Sequence, residues 1–353
     1  MRQDDLETCQ AIVANRDSLA EKIVARQFSL QSGLTPRNGN VERRLADVKQ
    51  HLDALSQSIA TGRSALFVDY IAWAKVVHAA RNIPIDDLTM NLEACYQTLA
   101  ELPAEHGPLA QQFVLDSLSC LPSLPDATRS FVSPERPLAR LAREYLDALL
   151  RSDSCEATRL VSEALQNTTS VRDVYLHVFQ RSQYEVGRLW QINQITVDEA
   201  HECTAATQQI MSQLRPAFSG VDRKDWRMVA ACVRGDLHEI GARMVVDFFK
   251  MDGWDAEYLG ANMRTDTIVN SVAAGKAHVL AISATLLADY SEVQQLIQAV
   301  RAHESCRGVC ILVGGGPFNI AADLWRDVGA DGFAPDGIRA VDLANRLVPP
   351  ECA

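Results

Sequence analysis

The chain has 353 residues, 47% hydrophobic and 22% charged, an ordinary balance for a globular protein with room for two or three cores. No apolar run approaches the ~20 residues of a membrane span, and the start, Met1 to Asp5, lacks an apolar signal core, so a cytoplasmic protein is expected. The net charge of −11, from 45 acidic and 34 basic residues, opposes sequence-independent nucleic-acid binding, and nine scattered cysteines fit free thiols in a reducing compartment.

Residues 1–130 read as all helical. Leu6, Cys9, Ile12, Val13, Leu19, Ile23, Val24 and Phe28 recur at three- and four-residue steps, predicting one long amphipathic helix, which Ser29 to Asn40 with Gly33, Pro36 and Gly39 breaks. Further helices are expected from Val41 to Ala60, Ser64 to Ala80, Pro84 to about Leu102, and Leu109 to Leu118. Within the third, His78 reads either as a haem ligand or as a histidine at the edge of a core. Pro122, Pro125, Pro134 and Pro137, with Ser123 and Ser130, mark a linker.

A second helical block occupies residues 138–215: Leu138 to Leu150, Glu156 to Gln166, Val171 to Gln191 and Thr196 to Leu214, with the lengths and short loops of a four-helix bundle. Arg215 to Lys224 links it to a third domain, residues 225–350. There strands are expected at Arg227 to Val233, Ala256 to Leu259, Val279 to Ser283, Val309 to Val313 and Gly332 to Ala334, alternating with helices. That alternation predicts a five-stranded parallel sheet of flavodoxin-like or Rossmann-like type. Cys306 and Cys310, the closest cysteine pair, straddle a helix end and a strand, which argues against a zinc site.

In such sheets ligands bind at the carboxyl ends of the strands. The first strand is followed by Gly235-Asp236-Leu237-His238-Glu239-Ile240-Gly241 and then an amphipathic helix from Ala242 to Met251. Asp236 could accept a hydrogen bond from one imidazole nitrogen of His238 while the other, neutral, points away as a metal ligand. Gly241 leaves room for something bulky beside the helix start. Alone, the triplet reads equally well as a capping aspartate beside a surface histidine. Two other strand ends fall on the same edge: Ala277 to Thr285, ending in the hydroxyls of Ser283 and Thr285, and Gly308 to Gly316, ending in Gly314, Gly315 and Gly316.

In this order the Asp-x-His-x-x-Gly turn, the Ser-x-Thr strand end and the Gly-Gly strand end resemble the cobalamin-binding domain of methionine synthase and its relatives, over residues 226–345. The resemblance implies that His238 replaces the dimethylbenzimidazole base as lower axial cobalt ligand, with Asp236 behind it. It also implies a slot for the displaced nucleotide tail, lined by Gly241, Ser283, Thr285, Gly314 and Gly315. At Gly316, at the mouth of that slot, relatives often carry a larger residue. Val186 to Trp190, followed by Ile195 to Val197 and His201, resembles the helical cap over the upper face of cobalamin in this family, Trp190 and His201 matching its characteristic pair. Trp190 also reads as a bundle tryptophan and His201 as a capping or surface histidine. Relatives that sense light through adenosylcobalamin place a glutamate directly before that histidine, where this chain has Ala200, and Asn193 replaces a frequent glycine.

Residues 1–130 are similar to globin-like sensor domains of bacterial signalling proteins, on helix number and on Tyr70-Ile71-x-Trp73. Globin-like helices, cap and cobalamin domain together resemble the photocobilin type of photoreceptor. That implies a biliverdin beside the cobalamin, with Tyr70 and Trp73 as candidate contacts, and a light-driven change of the upper ligand that repacks the cap. The alternatives are a corrinoid methyl carrier loaded and unloaded by methyltransferases, and a haem or redox sensor. The carrier needs only cap and sheet; the winged-helix domain of light-sensing repressors does not resemble this acidic helical segment. Without an enzymatic output motif, the signal is expected to leave through a protein partner or a homo-oligomer, with no membrane and no nucleic acid involved.

Overall fold

The computed structural model describes residues 3–30, 41–218 and 220–348; most of the break read at Ser29 to Asn40 lies outside them. The chain divides into two compact units, one of residues 1–127, 284–294 and 316–329, the other of residues 128–283, 295–315 and 330–353. No described helix is long and apolar enough to cross a membrane.

The first unit contains α1 (Gln3–Ala14), α2 (Arg16–Leu30), α3 (Val41–Thr61), α4 (Ser64–Ala80), α5 (Ile85–Leu99) and α6 (Gly107–Cys120). The single first helix expected from periodicity is two. Asn15 turns its side-chain amide onto the Ala11 carbonyl at 2.8 Å and the next helix starts at Arg16, because a short amide side chain competes with the helical backbone for its own hydrogen bonds. The break redirects the apolar stripe: Ile12, Leu19 and Ile23 are buried, whereas Val13, counted with them by spacing, is exposed. Pro84 precedes α5 as expected, since proline has no amide to donate and a φ suited to a helix start. Leu52, Leu55, Phe67, Ile71, Leu88 and Val114 form the centre of the core. The buried Lys75 ammonium donates to the Leu121 and Leu124 carbonyls at 3.1 and 2.6 Å and pairs with Asp126, fixing the chain as it leaves α6. Arg63, just before α4, pairs with Asp323 and Asp327 at 2.9 and 2.8 Å.

The second unit begins with α7 (Ala139–Leu150) and α8 (Ser154–Gln166). The next predicted helix, Val171 to Gln191, is helical throughout but not uniform: α9 (Val171–Val174) passes through a π turn, Tyr175–Phe179, into α10 (Gln180–Gln191). The α11 helix (Val197–Leu214) opens with a capping box, Thr196 and Glu199 each bonding the other's backbone amide. Beyond it lie β1 (Arg227–Cys232), β2 (Asp255–Tyr258), β3 (Val279–Ser283), β4 (Cys310–Gly314) and β5 (Gly332–Phe333). The helices that alternate with or follow them in sequence are α12 (Ile240–Met251), α13 (Thr265–Gly275), α14 (Tyr290–Ala302), α15 (Gly316–Ile320), α16 (Leu324–Val328) and α17 (Gly337–Leu347), of which α15, α16 and the start of α14 belong to the first unit. The five strands are parallel, as the alternation predicts, and their order is β2-β1-β3-β4-β5, so β1 and β3 are adjacent and the chain reverses direction of growth between them. Cys306 and Cys310 contact different backbone carbonyls, those of Val269 and Leu347.

The cap helices share a core with the sheet's α12. Tyr175 in the π turn packs edge-on against Phe248 with ring centroids 5.8 Å apart and reaches Phe179 and Phe218. Its hydroxyl donates to Asp247 Oδ2 at 2.9 Å, a bond buried at both ends. Burial raises Asp247 above the ordinary carboxylate range, against the opposing pull of the Tyr175 hydrogen bond and of Arg215, Lys250 and Arg243. An acid held high contributes stability that is complete below its unfolded value and is lost as pH rises through the folded one. Asp247→Asn keeps an acceptor for Tyr175 without the charge. Urea denaturation is expected to show the variant gaining on the wild type as pH rises from about 4, near the ordinary aspartate value; a difference independent of pH would remove Asp247 as its source.

Candidate functional site

The β1 strand ends buried, and the turn after it folds back on one carboxylate. Asp236 Oδ1 accepts the His238 backbone amide at 2.8 Å and His238 Nδ1 at 2.9 Å. The Asp236 side chain is fully buried, while that of His238 is 57% exposed, so the carboxylate is the floor of the turn and the imidazole its outward face. An ionised carboxylate only accepts, so the shared proton sits on Nδ1, and in the neutral ring the lone pair is then on Nε2. The sequence reading expected this pairing.

The clamp that holds the turn was not expected. Gly235, at φ 91°, donates its amide to Asn262 Oδ1 at 2.9 Å, and the Asn262 amide donates to the Asp236 carbonyl at 2.9 Å. Asn262 itself sits at φ 51°, two residues after Gly260 in the loop leaving β2. A glycine and an asparagine close behind a strand are turn signals, and that signal was in the sequence. Below the turn, Cys232 lies 3.6 Å from the Tyr258 hydroxyl, which donates to Glu239 Oε2 at 3.1 Å. Burial pushes the Cys232 thiol up to about 12, so it is neutral near pH 7 and is no nucleophile. Glu239 also accepts from Gln208 of α11 at 3.0 Å, tying the cap to the residue after His238.

The register puts Cys232, Ser283 and Gly314 in one row, the last paired residues of three adjacent strands. Ser283 and Gly314 thus share the edge from which His238 rises. A Cβ added to Gly241 would meet nothing within 4 Å, so its helix face is open; one added to Gly314 would meet the Ala334 carbonyl at 3.0 Å. Gly315 has φ 111°, a conformation that favours glycine. Thr285 and Gly316 belong to the other compact unit. There a Cβ on Gly316 would lie 2.5 Å from the Thr285 carbonyl oxygen, which explains why this chain has glycine where relatives of the resembled family often have a larger residue.

On the cap, Trp190 is 46% exposed near the end of α10, and His201 is exposed on α11. Asn193, in the glycine-frequent position, takes the left-handed conformation at φ 57° and donates its amide to the Trp190 carbonyl at 2.9 Å, so either residue type suits the turn. Glu199, one position away from the expected upper-face glutamate, is engaged in the capping box and cannot stand in for it. Tyr70 and Trp73 stack with centroids 6.0 Å apart in the first unit, Tyr70 also meeting Phe67 and the edge of His51. His78 is buried with Nδ1 2.9 Å from the Ala74 carbonyl. Among the described residues no three or more His, Cys, Asp or Glu side chains gather to hold a bare metal ion.

The B12 binding domain family matches residues 226–342, and a second B12 binding domain family matches residues 141–215. The two segments form a cobalamin-binding module, a helical cap followed by a parallel α/β domain, and the chain is of the cobalamin-binding class. A corrinoid protein of Desulfitobacterium hafniense is 24% identical over 213 residues, 59% of this chain and 97% of that protein. Monomethylamine corrinoid protein 1 of Methanosarcina mazei is 23% identical over 209 residues, 57% of this chain and 94% of its own length. Dimethylamine corrinoid protein 1 of the same organism is 26% identical over 122 residues, 34% of this chain and 55% of that protein. In fold the chain is similar to the monomethylamine corrinoid protein of Methanosarcina barkeri, with TM-score 0.53, 20% identity and coverage of 60% of this chain and all of the other.

The clamp has a direct test. Asn262→Ala removes the acceptor of the exposed Gly235 amide, a loss of about 1 kcal/mol. Exchange of the Asp236 and His238 amides is expected to quicken by about fivefold, read by hydrogen–deuterium exchange; unchanged protection would mean the turn holds without Asn262.

Proposed function

We propose that this protein is a corrinoid carrier whose cobalt is held from below by His238 Nε2. The observation that carries the reading is the Asp236–His238 pair, rising beside the Ser283–Gly314 row with Nε2 directed away from the carboxylate. A cobalt corrin supplies a cobalt–carbon bond that forms and breaks, chemistry available to no side chain. A corrin would bring its own nitrogen ligands, so a single imidazole, that of His238, would suffice to hold it. Asp236 holds the proton at Nδ1, fixes the ring plane and raises the basicity of Nε2. Leu237, 70% exposed at the tip of the turn, and Trp190 are apolar surfaces that a planar macrocycle would cover and dry. Gly241, Ser283, Thr285 and the glycines Gly314 to Gly316 are the proposed surroundings of the nucleotide tail, and His201 the neighbour of the upper face. The relatives described as monomethylamine and dimethylamine corrinoid proteins support one-carbon transfer as the task, with methyltransferases as the protein partners.

One observation favours a second reading, a light sensor. The family matches leave residues 1–140 unaccounted for, and the helical unit they contain has no place in a carrier made of cap and sheet alone. In that reading the unit is a globin-like sensor domain that takes biliverdin near Tyr70 and Trp73, adenosylcobalamin is the native form, and the cap passes the signal to a partner or a second copy.

An absorption titration with adenosylcobalamin and biliverdin, separately and together, in the dark and under green or red light, separates the readings. Asp236→Ala is expected to weaken cobalamin binding by about 10- to 100-fold, and His238→Ala to leave the cofactor's own base on cobalt. Unchanged spectra and affinity in both variants would overturn the His238 assignment. Photolysis at the free-cofactor rate with no change in elution volume supports the carrier; a change in elution after illumination, lost in Trp190→Ala, supports the sensor.

A further inference from the structure

Beside the His238 turn, a cleft of about 500 Å³ lined by α12 and β2 is one that the cobalamin reading does not use. Its lining includes Arg215 from the turn that ends the cap, and Arg243 and Lys250 from α12. Arg243 and Lys250 are seven residues apart, two turns of helix, so they share one face, and Arg215 joins them from a different element.

The charges of this cleft are unevenly committed. Its two rim acids, Asp255 and Glu257, are held by Arg227 at 3.9 and 2.8 Å. Asp247, at the floor, turns Oδ2 onto the buried Tyr175 hydroxyl, and burial favours its neutral acid form. Arg243 pairs through Nη2 with Glu239 at 3.1 Å and stacks over the Tyr258 ring, yet its Nε is buried with no hydrogen-bond partner. Arg215 and Lys250 enter no ion pair among the described residues. Three cationic groups from two elements therefore converge where the acids are already engaged, in a chain whose net charge is −11. Cationic side chains lining one cleft make it a place where an anion is favoured.

We propose that this cleft binds a small phosphate-bearing anion, with Arg215 and Lys250 pairing with the phosphate oxygens and Arg243 Nε donating a hydrogen bond. Arg243 offers the fork geometry that phosphate oxygens match, and Lys250 a mobile point charge. The ligand would join the end of α11 to the helix that starts two residues after His238, so it braces the cap's exit against the turn. The site stands without the cobalamin reading, because none of its residues belongs to the proposed corrin or tail contacts.

Isothermal titration of the full chain, free of cobalamin, with pyrophosphate and with AMP tests it. One saturable site with Kd below about a millimolar, the range in which 1 mM corresponds to −4.1 kcal/mol, is expected. Arg215→Gln and, separately, Lys250→Gln are expected to weaken it at least tenfold, with circular dichroism unchanged, whereas His238→Ala leaves it intact. No saturable binding, or equal binding in both charge variants, overturns the proposal. Loss of binding in His238→Ala but not in Arg215→Gln also overturns it, because the anion would then sit at the carboxyl edge of the sheet.

Discussion

The buried carboxylate of Asp236 is the constraint around which the cobalamin-class half of the molecule is arranged. Placed at the end of β1 with no solvent, it must find donors, and it finds two in the same residue, the amide and the ring of His238. Satisfying that one carboxylate sets the path of the turn and the direction in which the imidazole presents Nε2. Asn262 then closes the turn from the other side, so the ring is presented by a backbone held at both ends rather than by a mobile loop. A side chain held this way loses little freedom on taking a partner.

The helix that follows inherits this geometry and transmits it. The α12 helix starts at Ile240, carries Glu239 at its head and Asp247 two turns on, and meets the cap at both places: Gln208 at Glu239, Tyr175 at Asp247. The cap is thus attached to the same element that positions His238, by polar contacts and by the aromatic cluster of Tyr175, Phe218 and Phe248. The π turn at Tyr175 to Phe179 lies at this contact, where an extra residue in the helical register re-aims the side chains. A cap attached in this way can change its packing only by also altering the surroundings of α12.

Residues 226–342 were legible because parallel α/β sheets advertise themselves: buried strands are short apolar runs, and ligand chemistry sits where they stop; residues 141–215 were legible as helices of matched length joined by short loops. That the Ser283 and Gly314 strand ends share one edge follows from that pattern, whereas the strand order and the register that adds Cys232 to the row came from the structure. The first helix was less legible because spacing counts apolar residues without knowing that Asn15 interrupts the backbone between them. Asn262 and Glu239 were not picked out, since asparagine in a loop and glutamate at a helix start are common for many reasons, and only proximity distinguishes these. The photoreceptor and biliverdin readings lean on the helical unit of residues 1–127, whose sequence has periodicity but no motif, whereas the similarity to known proteins supports corrinoid binding.

By itself the sequence determined the sheet and its helices, because hydrophobic periodicity and turn chemistry act between residues near one another in the chain. It also determined that Asp236 stands two residues before His238, within reach of its ring. The tertiary structure decided the rest: that Asp236 is buried while His238 is not, that Asn262 arrives from another loop, that Glu199 is spent on a helix cap, and that Arg215, Arg243 and Lys250 meet. Burial and encounters between distant segments are properties of the packed chain, and no local pattern encodes them.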